Sequence, residues 1–196
     1  FEQTNAADAS SAGGTFRELP LMWGCADQPN DAPAGNYRIE WLNGRAAMHL
    51  FRGDGANSHG ETFCVQSFGP PGTPGRDLSE FDFLSLRATF MIRGQSLSAC
   101  GIAGSECPMM LQITYMDAFG REQNWYSGFY ALSNPALEYP TTCDSCRQDH
   151  DVIHLNTWYI FEIEHLFNSF SPLERPQSSQ EVRFYASGHE YDVYVS

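Results

Sequence analysis

The sequence predicts an all-β fold: a two-sheet antiparallel jelly-roll β-sandwich with long disulfide-stapled loops and an extended N-terminal arm. Three observations point there. Apolar residues alternate with polar ones in one run after another, almost no segment carries the helical period of about 3.6 residues, and stiff crossings rich in Gly and Pro separate the runs. Strands of that kind each carry one apolar face and must cover it with a second sheet, which a jelly roll achieves through long inter-sheet crossings. At 196 residues, and with roughly 100–200 residues to a domain, the chain is expected to be one sandwich domain over 15–196. An arm or linker over 1–14 precedes it.

Taken in order, residues 1–14 are small and polar, ending Ala-Ser-Ser-Ala-Gly-Gly, with no apolar face. Residues 16–23 read as a first strand and 25–35 as a loop. Tyr37, Ile39 and Trp41, then Ala46, Met48 and Leu50, alternate with their neighbours on either side of Asn43-Gly44. Asn-Gly between two alternating runs is the strongest short-range hairpin signal, because both central residues must take positive φ. A Gly-rich loop over 53–60 leads to a strand over 61–68, and three prolines in 69–75 make a stiff crossing. Leu84 to Ile92 and Met109 to Tyr115 are long alternating strands, and Asp117 to Arg121 is a turn with its returning strand over 123–132. A long loop over 134–156, a strand over 158–166 and a crossing over 167–180 bring the chain to its end.

That end, Glu181 to Ser196, reads EVRFYASGHEYDVYVS. Val182, Phe184 and Ala186 share one face, and the alternation resumes after Gly188-His189 with Tyr191, Val193 and Val195. The Ser-Gly between the halves suits a bulge or a corner where the chain crosses an edge. RFYASGHEYDVYVS resembles the closing strand of galactose-binding-like and carbohydrate-binding-module-like jelly rolls, in which an aromatic-small-Gly segment precedes a Tyr-Asp-x-Tyr/Val strand. The likeness is confined mainly to residues 181–196. It implies a glycan-binding module, often with a structural calcium near a sheet edge.

The 24 acidic and 11 basic residues, every basic one an Arg, give a net charge of −13. Such a field repels a phosphate backbone, so nucleic acid is not an expected partner. No run approaches the ~18 apolar residues of a membrane helix, so membrane insertion is not expected either. Six cysteines in a strand-and-loop chain read as three disulfides formed in an oxidising compartment, placing the chain outside the cell or on its surface. Cys100 and Cys107 are the favoured pair, because the CGIAGSEC loop with its two glycines returns on itself as a hairpin tip does. The start at Phe1 rather than Met is expected of a processed or excerpted chain.

Several constellations are candidates for chemistry. Cys143, Cys146, His150 and His154 offer the ligand types of a tetrahedral zinc site, although their spacing is tighter than a zinc finger's and a local disulfide accounts for the same cysteines. Asp54, Asn57 and Glu61, with Glu190 and Asp192 at the bend of the closing strand, are candidate ligands for a structural calcium, set against plain solvated carboxylates. Trp125, Tyr126 and Tyr130 lie on one strand, and an outward-facing aromatic row is how a binding module stacks sugar faces; the competing reading packs these rings under the 134–156 loop. Glu162 and Glu164 are about 6–7 Å apart by strand rise, within the span of a glycosidase pair, as are any two residues so spaced. No catalytic residue is assigned.

The first functional reading is therefore a secreted, non-catalytic module that binds glycan or another surface ligand. A second is a structural subunit of an extracellular filament or surface layer. Its arm, too poor in apolar groups to fold on itself, would add as a strand to a neighbouring copy, with Phe1 as an anchor. A glycan-cleaving enzyme is the third.

Overall fold

A computed structural model of the chain describes residues 4–8, 18–20, 23–28, 31–53, 55–70, 72–146 and 148–196. Its strands, in chain order, are β1 (Thr4–Asp8), β2 (Glu18–Pro20), β3 (Trp23–Asp27), β4 (Asn36–Leu42), β5 (Arg45–Arg52), β6 (Gly60–Ser67) and β7 (Arg76–Asp77). There follow β8 (Leu86–Gln95), β9 (Met109–Met116), β10 (Glu122–Tyr130), β11 (Asp151–Val152), β12 (Tyr159–Ile163), β13 (Ser178–Gly188) and β14 (Tyr191–Val195). Two single turns of 3₁₀ helix, Pro135–Leu137 and Leu166–Ser169, lie in the crossings.

These strands form a jelly-roll β-sandwich. One sheet runs β11-β10-β9-β13-β6-β3, with β7 beside β13, and the other runs β12-β8-β14-β5-β4. The ladders are antiparallel except for a two-residue parallel contact between β10 and β11. Between the sheets, Leu111, Trp125, Phe129 and Phe184 meet Leu50, Phe90, Ile92 and Val193. Phe129 packs on Phe90 and Phe161 at ring separations of 4.5 and 4.9 Å. The period-two alternation explains this: in each strand the apolar set points inward.

The closing stretch ties the two sheets together. β13 pairs with β9 and β6 in the first sheet, and β14 pairs with β8 and β5 in the second. The chain crosses at Gly188, whose φ of +130° closes the corner without the strain a side chain would add. The Asn-Gly hairpin forms as expected, with Leu42 opposite Arg45 and both Asn43 (φ 53°) and Gly44 (φ 76°) in the left-handed region.

Arg52 plugs the end of the sandwich beside that crossing. It is only 2 % exposed. Its guanidinium donates to the carbonyl oxygens of Ala32, Pro33, Ser58, Gly188 and His189. No sequence signal marked it.

The cysteines pair as Cys25–Cys64, Cys100–Cys107 and Cys143–Cys146. The first joins residues directly opposite each other on β3 and β6, locking an edge strand to its sheet. Three disulfides fit an extracellular chain. No helix among the described residues is long and apolar enough to cross a membrane.

Where the arm is described, Thr4–Asp8 pairs antiparallel with Glu18–Pro20 of the same chain in a separate two-stranded sheet. The other residues of the arm, Phe1 included, lie outside the described residues.

Candidate ligand-binding face

The outer face of the seven-stranded sheet carries a polar platform built from strand register. Tyr126 on β10 stands opposite Gln112 on β9, which stands opposite Arg183 on β13. Directly opposite residues share a face. One row further on, Asn124, Thr114 and Glu181 align in the same way. The intervening residues, Trp125, Ile113 and Val182, point into the core.

The second row forms the floor of a groove of about 350 Å³ lined by Gln112, Thr114, Glu122, Asn124, Gln180 and Glu181, with the 69–75 crossing along one side. The crossing is held there by Phe68, whose N–H donates to the Gln180 carbonyl, and by Gln180 Nε2 donating to the Thr73 carbonyl. Gly75 permits the approach, since a Cβ there would lie 2.1 Å from the Ser179 carbonyl oxygen.

Inside the groove the side chains are already oriented. The Asn124 carboxamide oxygen accepts from Gln112 Nε2 at 2.9 Å and from Thr114 Oγ1 at 2.8 Å, which turns its NH₂ away from both. Arg183 is half-buried, paired with Glu61, and its guanidinium stacks 4.2 Å from the Phe63 ring centre and 4.8 Å from that of Tyr185. A planar cation held between two rings and a carboxylate is pre-organised to donate from its remaining edge.

Burial pushes the Glu61 carboxyl above its ordinary value, and Arg183 only partly offsets this. Burial likewise raises the phenols of Tyr126 and Tyr185. Both stay protonated at neutral pH and can donate. The face therefore offers amide, hydroxyl and guanidinium groups beside an aromatic ring, and the groove lining contains no histidine or cysteine among the described residues.

The residues singled out from sequence divide sharply. Tyr126 lies on this face, half-buried beside the groove. Trp125 does not: it is 0 % exposed and belongs to the inter-sheet core, because it occupies the opposite side of the pleat. Tyr130 is 4 % exposed and packs with Met110 and Tyr185, with Tyr139 of the long loop against it, so the competing reading holds for that ring. Arg183, Gln112 and Asn124 were missed. An arginine in mid-strand, alternating with Val182 and Phe184, was the available signal.

Cys143 and Cys146 are joined in the local disulfide that was weighed against a zinc site, a pairing that leaves no thiolate there for a metal. His150 is buried against the Gly104 carbonyl, while His154 is exposed. The calcium set is not one site. Glu61 pairs with Arg183 on the outer face of one sheet, Asp192 bonds His49 Nε2 at 2.8 Å on the outer face of the other, and Glu190 accepts from the Gly55 N–H. Asn57 is exposed on its loop, and Asp54 lies outside the described residues. Glu162 faces Arg87 at 3.8 Å on the exposed edge of the five-stranded sheet, and Glu164 lies just past the same strand. Neither lines the groove.

Comparisons with solved structures find carbohydrate-binding modules. A family 11 module from a cellulosomal cellulase of Clostridium thermocellum is similar over 95 % of this chain and 92 % of its own, with a TM-score of 0.43 and 13 % identity. A family 11 module from the same organism, in complex with a β-1,3-1,4-mixed-linked tetrasaccharide, gives a TM-score of 0.43 at 12 % identity, covering 89 % of this chain and 85 % of its own. A CBM61 module in complex with β-1,4-galactotriose gives 0.38 at 9 %, covering 89 % and 83 %. No protein-family model matches the sequence, and comparison with curated proteins finds no match.

Proposed function

We propose that the chain is an extracellular glycan-binding module that holds a neutral polysaccharide along the outer face of its seven-stranded sheet, without cleaving it. The observation that carries this reading is the continuous row Tyr126–Gln112–Arg183 with the polar groove beside it. Sugars present alternating apolar faces and hydroxyl edges, and bind where a ring and fixed hydrogen-bonding side chains meet. The ligand is neutral because a chain of net charge −13 repels polyanions. The carboxylate pair weighed for cleavage, Glu162 and Glu164, lies away from this groove.

Affinity gel electrophoresis against β-1,3-1,4-glucan, β-1,4-galactan, β-1,4-xylan and β-1,4-mannan tests the proposal. At least one polysaccharide retards the parent, and a Gln112→Ala, Asn124→Ala double variant loses that retardation while remaining folded. Release of reducing ends during the same incubation would point to the enzymatic reading.

A further inference from the structure

A second cavity, of about 210 Å³, lies on the other side of the strands that carry the groove, between the two sheets. Ile113 of β9 and Val182 of β13 line it from one sheet, Leu86 at the start of β8 lines it from the other, and Leu166 of the second 3₁₀ turn completes the apolar wall. Phe68, just past β6, and Arg76 of β7 are exposed, so they form the rim that opens to solvent. Ile113 and Val182 alternate along their strands with Gln112 and Glu181 of the groove, so the two cavities face opposite sides of the sheet.

The deep polar group of this cavity is Ser179. It stands opposite Tyr115, a core residue of β9, and its side chain therefore turns inward. Ser179 is only 6 % exposed, and its Oγ has no hydrogen-bond partner among the described residues. A buried hydroxyl without a partner is destabilising. Water is a poor remedy, because a buried water takes about three hydrogen bonds and the walls around this one are aliphatic. Arg76 is directly opposite Ser179 on β7, so the two side chains leave the sheet on one side, the short one buried and the long one at the rim.

An apolar cavity of about 150 Å³ stays dry and takes up benzene. At about 210 Å³ this one has room for a ring with a small substituent. We infer that the cavity binds one neutral aromatic ring bearing a hydroxyl, a ligand of the phenol class. Its OH bonds Ser179 Oγ, each hydroxyl being able to donate or accept, and its ring lies among the aliphatic walls with the Arg76 guanidinium over its face. An anionic ring is disfavoured, since Asp77 and Glu80 line the cleft on the outer side of Arg76 and the chain carries a net charge of −13. A sugar is disfavoured too, because it brings several hydroxyls to a wall with one buried partner. The site is separate from the glycan groove and stands without it.

The test is a nuclear magnetic resonance titration of the whole oxidised chain, ¹³C-labelled at its Ile, Leu and Val methyl groups, with phenol, toluene and cyclohexanol. Phenol gives nuclear Overhauser contacts to the methyl groups of Ile113, Val182 and Leu166 and binds more tightly than either analogue. Ser179→Ala, which deletes only the unpartnered oxygen, weakens phenol about fivefold, the worth of one net hydrogen bond, and leaves toluene unchanged. Arg76→Gln weakens both aromatic ligands and leaves cyclohexanol unchanged. Absence of those contacts at millimolar phenol, or contacts confined to the exposed Leu173, overturns the proposal. So does a Ser179→Ala chain that holds phenol as tightly as the parent, or a parent that holds cyclohexanol as tightly as phenol.

Discussion

Replacing Arg52 with Met removes five hydrogen bonds at once while keeping most of the apolar stem. The acceptors come from three separate segments: the loop at Ala32 and Pro33, the loop at Ser58, and the inter-sheet crossing at Gly188 and His189. At a net value of about 1 kcal/mol per bond the loss is about 5 kcal/mol. Against it stands the cost of burying a guanidinium that has no ion-pair partner among the described residues, which Met does not incur. The expected net destabilisation is about 3–4 kcal/mol, and at roughly 2–4 °C per kcal/mol for a domain of this size the Tm falls by roughly 6–16 °C. Arg52→Lys keeps the charge but has only three donors on one nitrogen, so it falls between parent and Met. Gly60→Ala attacks the same plug from outside, because its Cβ would lie 2.4 Å from the guanidinium carbon. Thermal unfolding followed by circular dichroism, with urea midpoints as a check, measures all three. An Arg52→Met protein within 1 kcal/mol of the parent would refute the reasoning that this side chain fastens the crossing.

Two further predictions concern the disulfides and the pH response. In the chain-entropy relation, breaking Cys25–Cys64, with its sequence separation of 39, costs about 4 kcal/mol, and breaking Cys100–Cys107, with a separation of 7, costs about 2.5 kcal/mol; urea unfolding of the paired Cys→Ala variants should preserve that order. Burial raises the Glu61 carboxyl above the ordinary value of 4.5, and its protonation releases Arg183. Glycan affinity should therefore fall with decreasing pH while still above 4.5, and Glu61→Gln should flatten the profile at a weaker affinity. The stability term has the opposite sign: a raised folded-state carboxyl pKa favours the fold as pH drops through that window, so lost binding is not unfolding. Affinity that is flat down to pH 4.5 would contradict the role given to Glu61.

Local signals in the sequence were enough for the elements and their inward faces. Asn43-Gly44 defines its hairpin through backbone conformation alone, and the alternation of Val182, Phe184, Ala186, Tyr191, Val193 and Val195 sets which side chains enter the core. The proposed binding face was only partly legible. Period two separates Trp125 from Tyr126 but does not say which side is inward, since both sides of that strand carry rings. The groove depends on β9 lying between β10 and β13, an order that no local pattern encodes. Arg52 is harder still, because its acceptors are backbone carbonyls and carry no sequence signature. The proposed calcium set is scattered for a related reason: Glu61 and Asp192, far apart in sequence, stand on the outer faces of different sheets, a placement no local pattern encodes.

The most direct test of the proposed binding face is a nuclear magnetic resonance titration of the ¹⁵N-labelled chain with hexasaccharides of the four neutral polysaccharides. At least one should shift the resonances of Gln112, Asn124, Tyr126 and Arg183 together, and the shifts should vanish in Arg183→Ala. A ligand that leaves those resonances unmoved and instead shifts the outer face of the other sheet, around His49 and Tyr194, would contradict the account.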